Sequence, residues 1–148
     1  MLTEIEQQNL DIDWFFTDGQ HIGFVASGGG RLPNSIAKED KNIEILSSYF
    51  RNLPERTEIE INNELKDIMS DVTEMYLSDF TLMAKKGLYT FDKTTLNNFL
   101  EPNYHLVAKP INALKIQDLS IQIQDIIVKT KYTRNIEFEL KIDTINIQ

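Results

Sequence analysis

Apolar residues along this chain recur at two spacings, and each spacing predicts a kind of element. Between residues 11 and 27, Trp14, Phe16, Ile22 and Phe24 alternate with other positions on either side of Asp18-Gly19, a turn dipeptide that supplies the positive φ of a tight hairpin. The pattern predicts two short strands with those four side chains on the apolar face. Gly28, Gly29 and Gly30 interrupt it, and Arg31-Leu32-Pro33 leads into new structure.

Helical spacing takes over next. Asn34 or Ser35 can cap a turn, and Asp40 can cap a helix over about 41–53, where Ile43, Leu46, Tyr49, Phe50 and Leu53 recur before Pro54 stops it. The longest periodic segment is about 62–86. There Leu65, Ile68, Met69, Val72, Met75, Tyr76, Phe80 and Met83 step by three and four, which predicts one long amphipathic helix. Asn62 or Asn63 can cap its start, Lys85 and Lys86 suit its negative end, and Gly87 can close it.

Residues 88–91 read as a strand, 92–100 as a short helical turn, and Tyr104 to Lys109 as a strand ended by Pro110. Residues 116–129 fit both periods, and their length favours helix. Ile136, Phe138, Leu140 and Ile142 alternate with charged residues, the mark of a half-buried antiparallel strand. Strands early, helices in the middle and strands late predict an α+β fold, a mostly antiparallel sheet with helices packed on one face. No repeat or linker divides the chain, so residues 1–148 are expected to form a single domain.

Composition agrees, with 41% hydrophobic and 26% charged residues, values a folded domain carries and a disordered chain does not. The absence of cysteine excludes disulfides, thiolate catalysis and Cys-ligated metal sites. The acidic start and the lack of any long apolar run point to a cytoplasmic protein with no membrane association.

Charge changes the picture most. The net charge is −8 and the pI about 4.7, which opposes binding to nucleic acid. From Glu55 to Asp79 eight acids face two bases, a net of −6, whereas residues 1–54 carry −4 and residues 80–148 carry +2. On the expected long helix Glu64, Asp67, Asp71 and Glu74 lie three or four apart, so they would form a stripe opposite the apolar face. Like charges so placed oppose helix formation by roughly 0.2–0.5 kcal/mol per pair. A docking surface for a basic partner explains such polarised charge, and a solvated helix face is the simpler alternative.

Other candidate chemistry is sparse. A stripe spreads its carboxylates too far for a metal, no calcium-loop spacing is present, and no metal or cofactor is expected. Ser27, Gly28, Gly29, Gly30 and Arg31 could present amides and a guanidinium to an anion as a secondary loop site. That run lacks the phosphate-loop ending, and a packing turn is the preferred reading. His21 and His105, the only histidines, read as surface or half-buried residues. Trp14, Phe15 and Phe16 read as core rather than as a stacking platform. No catalytic constellation emerges, and the chain is not expected to be an enzyme.

The run Asp11-Ile12-Asp13-Trp14-Phe15-Phe16, with Asp18-Gly19, Ile22-Gly23-Phe24, Ser27-Gly28-Gly29-Gly30 and Leu32-Pro33, resembles the opening of small bacterial immunity proteins of polymorphic toxin systems. Tyr104 to Pro110 followed by Leu114 to Ile127 is similar to their later part. The resemblance covers about a third of the chain. It implies a non-catalytic protein that binds and neutralises a cognate toxin, often a nuclease. It transfers no binding residues. Toxins that act on nucleic acid are basic where they bind it, which agrees with the acidic stripe. The alternative is a non-catalytic binding or regulatory module for a small ligand or a protein partner.

Overall fold

The expected hairpin forms: β1 (Asp13–Thr17) and β2 (Ile22–Ala26) pair antiparallel in the computed structural model, which describes residues 1–148. Gly19 takes φ 98°, and Asp18 Oδ1 accepts from the amides of Gln20 at 2.9 Å and His21 at 2.7 Å, which closes the turn. The four predicted face residues divide between two faces. Phe16 lies opposite Gly23 and Phe15 opposite Phe24, and directly opposed residues share a face. Trp14, Phe16 and Val25 therefore enter one core, while Phe15, Ile22 and Phe24 enter another. A Cβ at Gly23 would lie 2.2 Å from the Phe16 ring, so glycine is what lets that ring cross the neighbouring strand.

The sheet runs β1, β2, β4 (Tyr89–Lys93), β5 (Asn103–Pro110), β3 (Ile59–Ile61), with β6 (Lys141–Asp143) also on β5. Only β2 with β4 is parallel, and the chain between them makes the crossover that a parallel pair requires. The other pairings are antiparallel, so the domain is α+β with a mixed sheet. Where β4 and β5 slip register at Thr90/Phe91, the Thr90 hydroxyl donates to Ala108 O and accepts from Ala108 N, replacing ladder bonds with side-chain bonds.

One face of the sheet carries α3 (Lys41–Arg51), α5 (Glu74–Lys85) and α6 (Ile121–Ile127) through Leu46, Phe50, Phe80, Met83, Ile123 and Ile127. The other is closed by α2 (Asn34–Lys38) and the C-terminal segment, which supply Ile36, Tyr132, Ile136 and Ile142. Trp14 Nε1 is the one buried side-chain nitrogen or oxygen there without a hydrogen-bond partner. No helix is long and apolar enough to cross a membrane.

Several expected elements change. The helix over 62–86 is broken into α4 (Leu65–Ile68) and α5. The strand over 136–143 keeps only β6, because residues 136–138 form a 3₁₀ turn whose start is held by Asn135 accepting from Glu137 N and Asp18 Oδ2 accepting from Ile136 N. Phe138 is consequently 81% exposed. Residues 94–100 form turns rather than helix, and 116–129 holds a 3₁₀ turn before the seven-residue α6. Two elements are additional. α1 (Glu4–Asn9) starts at a reciprocal Thr3–Glu6 capping box, and β3 borders the acidic segment.

Candidate functional site

The acidic segment begins on β3 and passes through α4 into α5. Asn62 is buried and organises the corner: its amide nitrogen donates to Leu106 O at 2.8 Å, and its carbonyl accepts from Glu64 N at 3.0 Å. Leu65 inserts beside it and is fully buried, after which Met69 turns extended at φ −139° and ψ 151°. Thr73 then caps α5 by accepting from Tyr76 N at 3.1 Å. Ser70, Asp71 and Thr73 all favour caps and turns over helix interiors, and the like charges oppose continuation, so the break has a local cause.

The four carboxylates therefore do not form a stripe on one helix face. Glu64 stands at the start of α4, Asp67 within it, Asp71 in the connection, and Glu74 opens α5. All four are exposed, and none forms an ion pair. Their neighbours Asp79 and Glu60 are engaged, by Arg51 at 2.8 Å and Lys109 at 3.7 Å respectively. The repulsion is thus relieved at the flanks and left standing in the middle.

Beside this segment β3 and α5 enclose an open groove of about 610 Å³. Ile59, Ile61, Leu77 and Leu82 are its apolar lining, Glu55 and Glu74 its acids, and Lys85 its one base. The period-two run Glu58-Ile59-Glu60-Ile61 is the signal in the sequence for this strand.

Both histidines are buried, His21 at 1% and His105 at 4% exposure, which corrects the surface or half-buried expectation. His21 Nδ1 lies 2.9 Å from Asp18 Oδ2, and its Nε2 lies 3.0 Å from Lys115 Nζ. Burial raises the Asp18 carboxyl, but bonds from the His21 ring and from the His21, Gln20 and Ile136 amides outweigh it and hold it below the usual range. This cluster fastens the hairpin turn to the C-terminal segment.

His105 is different. Its Nδ1 is 3.1 Å from Thr94 Oγ1, and its Nε2 is 3.4 Å from the Tyr76 hydroxyl, which donates to Asp92 Oδ2 at 2.7 Å. Burial pushes the imidazole down to about 4 and raises Asp92. The ring borders a cavity of about 460 Å³ lined by Glu64, Ile68, Thr94, Asn103 and Lys141 among others. An imidazole so shifted is a weak proton acceptor at neutral pH.

The glycine loop is a packing turn. Gly28 N donates to Asp11 Oδ1 at 2.9 Å, Gly30 N donates to Ser27 O at 2.8 Å, and Arg31 pairs with Glu4. Ser27 is buried and accepts from Ile12 N at 2.8 Å. Gly29, at φ 76°, leaves only 2.8 Å between a would-be Cβ and Gln8 O. Gly28 N, Gly30 N and the Ser27 hydroxyl are thus engaged within the turn, and Arg31 is paired at the surface. Trp14, Phe15 and Phe16 are fully buried, as expected of core.

By fold and surface the chain is an α+β domain with an acidic margin. Compared with protein-family models, curated proteins and solved structures, it matches none of them.

Proposed function

We propose that the chain is a non-catalytic, immunity-type protein that binds and neutralises a basic protein partner, a toxin, with Glu64, Asp67, Asp71 and Glu74 in the interface. The observation that carries this reading is that those four carboxylates stand exposed and unpaired in a segment of net charge −6. A concentrated field of one sign steers an oppositely charged protein and rejects like-charged ones. The adjoining groove supplies apolar surface whose burial favours association.

The reading is tested by co-expressing the chain with any basic protein encoded beside its gene. Growth rescue and a co-purifying complex are expected, and both should be lost when the four acids are replaced by lysine. Rescue that survives the replacement contradicts the assignment of the acids.

The cavity at His105 favours a second reading, a small polar ligand held among Thr94, Asn103 and Lys141. A metabolite that raises Tm in the native chain and not in His105→Gln, whatever the state of Asp71, would favour it.

A further inference from the structure

β3 ends the sheet beyond β5. Glu58 O accepts from Ile111 N at 2.9 Å, Asn62 N donates to Val107 O at 2.9 Å, and Glu60 stands opposite Lys109. Backbone groups alternate sides along an antiparallel strand, so the N–H and C=O of Ile59 and Ile61 point away from β5. No other segment of the chain hydrogen-bonds to them. The side chains of the same two residues line the groove against α5, together with Leu77 and Leu82. An open edge and an apolar trough thus run side by side.

We infer that β3 is an acceptor edge for an extended basic segment of the protein partner, which adds to the sheet as a further strand. Its backbone pairs with Ile59 and Ile61, alternate apolar side chains enter the groove, and its lysines or arginines, on the opposite face, meet Glu58 and Glu60. This rests on the acidic-surface function proposed above and specifies how the partner engages it.

Charge selects the occupant. A second copy of the chain would bring two acidic β3 edges together, the like-charge arrangement by which edge strands avoid pairing with themselves. A docked helix has its own backbone bonds closed and would leave the Ile59 and Ile61 groups unpaired, whereas a strand satisfies them and reads alternate side chains. Lys85 is the groove's one base and favours an uncharged partner residue at its end.

The test uses the full chain, isotopically labelled, and a heptapeptide of alternating lysine and valine. Two further heptapeptides of the same charge carry N-methyl groups on one or the other set of alternate amides. The plain peptide is expected to bind and to slow amide exchange at Ile59 and Ile61 about tenfold, the worth of roughly one backbone hydrogen bond. One of the methylated pair should bind at least about tenfold more weakly, because it loses the bonds facing β3. Equal affinity for all three peptides overturns strand addition and leaves the acidic surface standing. Failure of all three to bind also overturns it, and the acidic surface is then judged by its own charge-replacement experiment. Ile61→Pro, which removes an outward N–H and none of the bonds to β5, should abolish the exchange protection while the folded spectrum persists.

Discussion

The hairpin of residues 11–27 and the acidic margin of residues 55–79 divide the molecule's work. In the hairpin Trp14, Phe15, Phe16, Phe24 and Val25 are wholly buried, and its turn is tied by Asp18 to two backbone amides and a histidine. In the margin the helix is interrupted, Glu64, Asp67, Asp71 and Glu74 face solvent without ion-pair partners, and a strand edge is left open. Apart from Trp14 Nε1, the buried polar side chains of the hairpin are satisfied, whereas the middle of the margin keeps charged groups and strand-edge backbone unpaired. That contrast suits the binding role proposed above: stability is concentrated away from a surface whose charges and backbone groups stay available.

The contrast breaks most visibly on the hairpin side. Phe16→Ala should destabilise the fold by about 3–5 kcal/mol in urea unfolding, since a fully buried ring that packs against Trp14, Phe91 and Tyr132 leaves a cavity. A loss under about 1 kcal/mol would mean that the core on that face is loose.

His105 lies between the two regions, and its effect depends on pH. Its folded pKa of about 4 is below the ordinary value of 6.5, so between those values the unfolded chain binds more protons and stability falls as pH falls. The contribution is complete above about pH 6.5 and is lost toward pH 4, with a ceiling of about 3 kcal/mol. Asp92 and Asp13, both raised by burial, act in the opposite direction at the acidic end. The difference between the native chain and His105→Gln isolates the histidine: the native chain should lose more stability from pH 7 to pH 5, and parallel losses would refute the assignment.

Within the margin, Thr73→Ala should cost about 1 kcal/mol by removing the cap that restarts the helix after the break. Circular dichroism that instead gained helix would show the break to be weakly held. The smallest effect on stability is expected where the effect on binding is largest. Replacing Glu64, Asp67, Asp71 and Glu74 with their amides should leave the unfolding free energy within about 0.5 kcal/mol, because exposed unpaired charges contribute little to folding.

The same contrast governs what could be read in advance. The hairpin was legible because Asp18-Gly19 fixes a turn, yet alternation assigns residues to a face only once the register is known. Phe16 opposite Gly23 placed Ile22 and Phe24 on the far side. The spacing of three and four persists through the break, so periodicity predicts one helix over 62–86 where the structure has two. After the break the buried positions are Phe80, Met83 and Ala84, and Met75 is 86% exposed. Ser70, Asp71 and Thr73 carried the contrary signal in their capping preference, as Thr3 and Glu6 did for α1. The burial of His21 and His105 depends on chain segments far away in sequence, Lys115 for one and Tyr76 for the other, and no local pattern encodes that. The acidic margin was legible as charge, and its open edge became visible only when β3 had a place at the end of the sheet.

The most direct measurement is the association rate of this chain with the basic protein partner that the proposed function requires, followed by stopped flow at low and high salt. The account predicts fast, salt-sensitive association that slows about tenfold or more when Glu64, Asp67, Asp71 and Glu74 are replaced by lysine. An affinity and association rate unchanged by that replacement would contradict it.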